Sequence, residues 1–150
     1  MEQNKQEGKQ KEQGMQEPQE ETEKKQELFF KLSMFEQQTH QTQEQIDAVE
    51  IGINELANLG FGLDELKGSI GKEILATIGR GVFVSANVKS EDLTVDIGGK
   101  NFVKKSIPET KEIIEGQIKK LISVKNDLGE NLERINQEMT KTLEDFQGNQ

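Results

Sequence analysis

The sequence predicts an α+β fold: a long antiparallel two-helix coiled coil with two β-hairpins between its helices, the hairpins forming an oligomeric β-barrel platform. Three observations predict it. Apolar residues recur at alternating steps of four and three along two segments, Leu28 to Leu56 and Ile107 to Phe146. Between them, ILATIGRGVFVSANVKSEDLTVDIGGKNFVKK (residues 74–105) alternates apolar and polar residues around two glycine-marked turns. Only 31% of the 150 residues are apolar and 31% are charged, with a mean hydropathy of -0.77. That is too little for a globular core of this length, but enough for helices that each bury one narrow stripe.

The same composition excludes several partners. A net charge of -9 and a pI near 4.8 disfavour a phosphate backbone, which needs clustered Lys and Arg. With no Cys there is neither a disulfide framework nor a thiolate metal site. The first thirty residues lack the apolar core of a signal peptide, and no run approaches the length of a membrane span. A cytoplasmic protein without membrane or nucleic-acid contacts is expected.

Taken in order, residues 1–26 form a Gln/Glu/Lys tract with Gly8, Gly14 and Pro18. Having almost nothing to bury, this tract is expected to be a disordered tail, with a frayed helical start after Pro18. Residues 27–150 form the structured part. Its first seam reads Leu28, Leu32, Phe35, Thr39, Thr42, Ile46, Val49, Ile53 and Leu56, of which seven of nine are apolar. Such a repeat is the seam of a coiled coil, not the broader stripe of a helix on a globular core. A helix from Leu28 to Leu59 would reach on the order of 48 Å. Gly52 sits off the seam and costs about 1 kcal/mol of helix propensity relative to Ala.

Gly60, Gly62, Gly68 and Gly71 then break the pattern, predicting a bend with a turn or two of helix before the insert. Gly71-Lys72 is not a phosphate-binding loop, because Leu66 and Glu73 stand where a glycine and a Ser or Thr are required. Within the insert (about 73–105), Ile74, Ala76 and Ile78 alternate, Gly79-Arg80-Gly81 turns, and Val82, Val84, Ala86 and Val88 alternate in reply. Leu93, Val95 and Ile97 alternate again, Gly98-Gly99 turns, and residues 101–105 close a second hairpin with Phe102 and Val103. Two small hairpins bury little alone and leave edges open, so they are expected to close a barrel with copies or relatives.

Ser106 and Glu109 have capping-box spacing, and Pro108 suits a first helical turn. The second seam is Ile107, Lys111, Ile114, Ile118, Leu121, Lys125, Leu128, Leu132, Ile135, Met139, Thr142 and Phe146, nine of twelve apolar. Antiparallel return places Leu28 near the Thr142 to Phe146 end. There the apolar residues exceed what a two-helix seam covers: Phe29 flanks the seam, Phe30 and Met34 share an outer face, and Leu143 lies beside Met139 and Phe146. Met and aromatic groups repack around many shapes, so this tip suits either a promiscuous grip on unfolded chains or a fixed partner. His40, the sole histidine, is expected to face solvent, and no nucleophile stands beside a base, so no catalytic residue, metal or cofactor is assigned.

The Gln-rich heptad segment LSMFEQQTHQTQEQIDAVEIGINEL, the Gly-Leu linker, the hairpin run from IGRGVFV to FVKK and the second heptad helix together resemble the prefoldin family, over roughly residues 27–146. Two hairpins instead of one point to its archaeal alpha type. The resemblance implies a heterohexamer of two alpha and four beta-type subunits, with hairpins forming a double β-barrel from which coiled coils project. It further implies an ATP-independent chaperone that holds unfolded proteins at its tips and passes them to a group II chaperonin. On this chain the tip residues would be Leu28, Phe29, Phe30, Leu32, Met34, Phe35, Met139, Leu143 and Phe146. The platform residues would be Ile74, Ile78, Val82, Val84, Leu93, Val95, Ile97 and Phe102. The competing expectation is a scaffold of the same architecture that joins fixed protein partners; an enzyme is the third.

Overall fold

The computed structural model describes residues 16–148. Helix α1 (Gln16–Leu66) is followed by strands β1 (Glu73–Gly79), β2 (Val82–Asn87), β3 (Leu93–Asp96) and β4 (Phe102–Lys105), and by helix α2 (Ile107–Gly148). The chain divides into two compact units, one containing α1 up to Ile46 and α2 from Leu128, the other being Asp47–Asp127.

Every seam position named from the sequence is buried or half-buried, while most residues between them are exposed. In the first unit Thr42, Ile46 and Ile135 are buried, and Thr42 and Ile135 line one groove. In the second unit the antiparallel course is fixed by pairs across the helices: Lys125 Nζ lies 3.0 Å from Glu50, Leu121 lies beside Gly52, and Lys111 Nζ meets Asp64 at 2.7 Å. Gly52 is therefore not merely an off-seam glycine. A Cβ built there would stand 3.4 Å from Leu121 Cδ1.

Helix α1 is longer than the periodicity indicates at both ends. It starts at Gln16, so residues 16–26, expected in the disordered tail, are helical; residues 1–15 lie outside the described residues. Glu and Lys recur four apart here, as in Glu20 with Lys24 and Glu21 with Lys25, and such pairs support a polar helix. The helix also continues through Gly60 and Gly62 to Leu66, where a bend was expected. Two glycines cost about 1 kcal/mol each relative to Ala. The apolar cluster that follows outweighs them: Leu63, Ile107 and Ile114 are buried together, with Leu56, Leu66, Leu93 and Ile118 packed around them. Each such side chain contributes about 1.5–3 kcal/mol when fully buried.

The helix ends in a tight link. Ser69 Oγ donates to the Leu66 carbonyl, and Gly68 and Gly71 take the left-handed φ values of 73° and 83° that let the chain reverse. β1 pairs antiparallel with β2, Ile74 opposite Ala86 and Ala76 opposite Val84, with a register shift at Ile78. Gly79 pairs with Val82, leaving Arg80 (φ 49°) and Gly81 (φ 78°) as a two-residue loop of the type I′ kind, whose twist matches the strands. β3 pairs with β4, Val95 opposite Val103. Its turn centres on Gly99 and Lys100 (φ 61° and 62°), one residue later than expected, with Asn101 N–H donating to the Gly98 carbonyl at 3.1 Å. The hairpins form two separate two-stranded sheets, so the single chain contains no closed barrel and both sheets keep open edges. Ser106 caps the start of α2: its Oγ accepts from Glu109 N–H at 3.2 Å and donates to the Glu109 carboxylate at 3.1 Å, so the side chains meet at the expected spacing, with the Glu109 carboxylate on the Ser106 hydroxyl.

Candidate functional site

Two surfaces, one in each unit, gather exposed apolar residues, while Ile51, Leu59, Ile122 and Val124 are exposed outside them. The first is built where α1 and α2 present their Leu28 and Phe146 turns to one another. Leu28, Thr142 and Phe146 line an open groove of about 600 Å³, walled by Glu21, Lys24, Lys25, Glu27, Lys31 and Asp145. The expected proximity of Leu28 to the Thr142–Phe146 end is thus present. Leu28, Leu32, Phe35, Met139 and Phe146 are half-buried along the seam. Phe29 and Phe30 are 77% and 66% exposed, and Met34 and Leu143 are also exposed. Helical geometry explains the split, since each residue advances the side chain by about a quarter turn. With Leu28 and Leu32 committed to the seam, Phe29 emerges on one flank and Phe30 with Met34 on the outer side. Lys31 Nζ lies 2.9 Å from Glu27 beside this groove.

Further along the same unit a second, more polar groove of about 460 Å³ runs between Gln38, Gln41 and Gln45 on α1 and Asn131, Arg134 and Glu138 on α2. Arg134 Nη2 donates to Asn131 Oδ1 at 2.5 Å. His40 is exposed and lies 3.1 Å from Glu44, which fits a surface position.

The second surface is the hairpin pair. Ile74, Ile78, Val82, Val84, Ile97 and Phe102 are exposed, whereas Leu93 and Val95 are half-buried, Leu93 against the cluster at the helix ends. The hairpin β3–β4 thus rests partly on its own chain, and β1–β2 is apolar and uncovered. The sequence reading followed only one face of β1–β2. It passed over Leu75 and Phe83 on the opposite face, 70% and 55% exposed, although both stand in plain view as the intervening positions of EILATIG and VFVSAN. Phe61 and Ile70, also exposed, were missed because they lie among the glycines read as a bend.

Among the described residues no group of three or more His, Cys, Asp or Glu is placed to hold a metal ion, and no helix is long and apolar enough to cross a membrane.

Comparison with known proteins agrees with this architecture. The family model for prefoldin subunits matches residues 35–150. The chain is 30% identical over 109 residues to the prefoldin subunit alpha of Methanobrevibacter smithii, covering 72% of this chain and 70% of that protein. It is 25% identical over 96 residues to the prefoldin subunit alpha of Methanosphaera stadtmanae, covering 64% and 70% respectively. Among solved structures, the cryo-EM structure of filamentous PFD from Methanocaldococcus jannaschii shares the fold, with a TM-score of 0.71 at 20% identity over 77% of this chain and 97% of the other. With two hairpins between paired heptad helices and relatives named as alpha subunits in archaea, the chain belongs to the prefoldin family, on its archaeal alpha side.

Proposed function

We infer that this chaperone subunit works as an ATP-independent holdase, gripping unfolded proteins with the Phe29–Phe30–Met34 end and delivering them to a group II chaperonin. The observation that carries this reading is the adjacent pair Phe29 and Phe30, both left exposed on α1 beside the groove that Leu28 forms with the Thr142–Phe146 turn of α2. An unfolded chain offers apolar side chains in no fixed order. Rigid pockets would select few of them, whereas phenylalanine and methionine on an open surface accept many at low affinity each. Useful affinity then comes from several such ends acting together, which multiplies weak contacts without new chemistry. The uncovered hairpins supply the means of joining ends: open strand edges and exposed valines and isoleucines fit pairing with other prefoldin subunits, two alpha with four beta-type in the reading adopted here. No bond is made or broken in this cycle, and no catalytic residue is assigned.

Replacing Phe29, Phe30 and Met34 together with Ser tests the reading. The variant should assemble to the same mass as the parent and lose most of its ability to keep a denatured test protein from aggregating. Undiminished protection would refute the assignment of this end as the client site. It would favour a scaffold that joins fixed partners.

A further inference from the structure

Glu20, Glu23, Glu27, Phe30 and Met34 follow one another at steps of three and four, so they form one row along α1. All five are exposed. The row changes character once, from carboxylates to the two apolar side chains on the outer side of the helix. Beyond Met34 it continues with Gln37 and Gln41, which carry no charge. The lysines of this end stand to one side: Lys24, Lys25 and Lys31 line the groove shared with α2, and Lys31 reaches back to Glu27 at 2.9 Å. Glu20 and Glu23 are not among the groove-lining residues and enter no ion pair among the described residues.

An apolar grip with unpaired carboxylates on one side only discriminates between clients. An unfolded segment lying along the row sets its apolar residues on Phe30 and Met34, and its next residues pass Glu23 and Glu20. These carboxylates stand about 10 and 15 Å from Phe30 along the helix axis. An extended chain covers that distance in about three to five residues. Lys or Arg at that spacing meets an opposite charge, whereas Asp or Glu there is repelled. We propose that the Phe30–Met34 face takes cationic unfolded segments, those carrying Lys or Arg three to five residues from an apolar pair. The proposal rests on the reading of this end as the client site and adds the class of client which that site prefers.

The test is the binding of three short fluorescently labelled peptides to the full-length chain, read by anisotropy at low salt. Each is Gly and Ser around one Leu-Phe pair. The first carries two Lys, three and five positions from the pair; the second carries two Glu there; the third carries the same two Lys at its far end. The first should bind about fivefold more tightly than either of the others, a modest gap because the contacts are exposed, and high salt should close it. Glu20→Gln with Glu23→Gln should shrink the gap between the first and second peptides to less than about twofold, and Glu20→Lys with Glu23→Lys should invert it. Equal binding of those two peptides, or a gap that the Gln variant leaves intact, overturns the proposal. A third peptide as tight as the first assigns the preference to the net charge of the whole chain and overturns it too. Phe30→Ser with Met34→Ser separates the two readings. If it weakens every peptide while the parent binds the first two equally, the client site stands and the charge preference falls; if it weakens none, the client site lies elsewhere and both fall. A change in the protein's own mass with Glu20→Lys and Glu23→Lys, peptide binding being untouched, would give this face to a second copy and overturn the proposal.

Discussion

Nζ of Lys111, in the opening turns of α2, donates to Oδ1 of Asp64 near the end of α1 at 2.7 Å, tying the two helix ends beside the Leu63–Ile107–Ile114 cluster. Lys67 reaches the same oxygen at 3.5 Å. The hydrogen bond from Lys111 is the main reason that Asp64 titrates below the usual carboxylate range, with the charges of Lys111 and Lys67 adding to it and partial desolvation opposing it.

A depressed carboxylate pKa fixes the sign of the pH dependence. The stabilisation is fully present above the unfolded value of about 3.9 and is lost as pH falls through the lower folded value. The parent should therefore melt above Asp64→Asn at pH 7, and the gap should close on acidification below about pH 4. Added salt should narrow it at neutral pH, since the pair is solvent-exposed. Thermal melts of both proteins across pH check this; a gap that persists in acid would assign the effect to something other than the charge.

Glycines within the helices separate propensity from packing. At Gly60, Gly116 and Gly129 an added Cβ meets nothing within 4 Å, whereas at Gly52 it meets Leu121 Cδ1 at 3.4 Å. Alanine at each of the first three should stabilise by about 0.5–1 kcal/mol. At Gly52 the gain should shrink, because the Leu121 side chain must give way. Equal gains at all four positions, measured by urea titration, would mean that the helices are not held as close at Gly52 as the structure shows.

The heptad seams were legible because burial follows their period from Leu28 to Phe146: even Lys111 and Lys125, charged residues at seam positions, are half-buried while their ammonium groups reach Asp64 and Glu50. The start of α2 was legible from Ser106 and Glu109, but the C-terminal end of α1 was not, because local residues do not decide it. Gly60 and Gly62 read as a break, but the packing of Leu63 on residues more than forty positions away carries the helix through. The hairpins were legible from alternation and glycine, yet one face of β1–β2 was overlooked. Alternation identifies a half-buried strand only when one face is polar, and Leu75 and Phe83 put apolar groups on both.

In the α1 seam, the hydroxyl of Thr39 is buried without a hydrogen-bond partner, while Thr142 in the α2 seam satisfies its own by donating to the Glu138 carbonyl at 2.8 Å. An orphaned hydroxyl costs about 1–3 kcal/mol, so Thr39→Val, which keeps the shape and removes the polar group, should be stabilising. A rise in melting temperature of about 2–4 °C per kcal/mol is expected for a chain of this size. Thr142→Val should bring little or no gain, since it removes a group that is already satisfied. Calorimetry on the two variants distinguishes this account from a general benefit of apolar seam residues, which would raise both equally.

Val84 and Val95 stand at comparable places in the two hairpins but not in comparable surroundings, and this decides how assembly should be tested. Val84 is 48% exposed in the single chain, whereas Val95 is half-buried. Aspartate at Val95 places charge beside the chain's own apolar groups and should lower the melting temperature of the monomer as well as any assembly, because a buried unpaired charge is costly. Aspartate at Val84 has nothing to lose in the isolated chain, where surface changes usually stay within about ±0.5 kcal/mol. It should leave helicity and melting of the monomer unchanged and prevent growth to larger masses once the chain is mixed with other prefoldin subunits. If Val84→Asp assembles to the full mass, that face of β1–β2 is not buried between subunits. If it unfolds the monomer instead, the valine belongs to an internal core, contrary to its exposure.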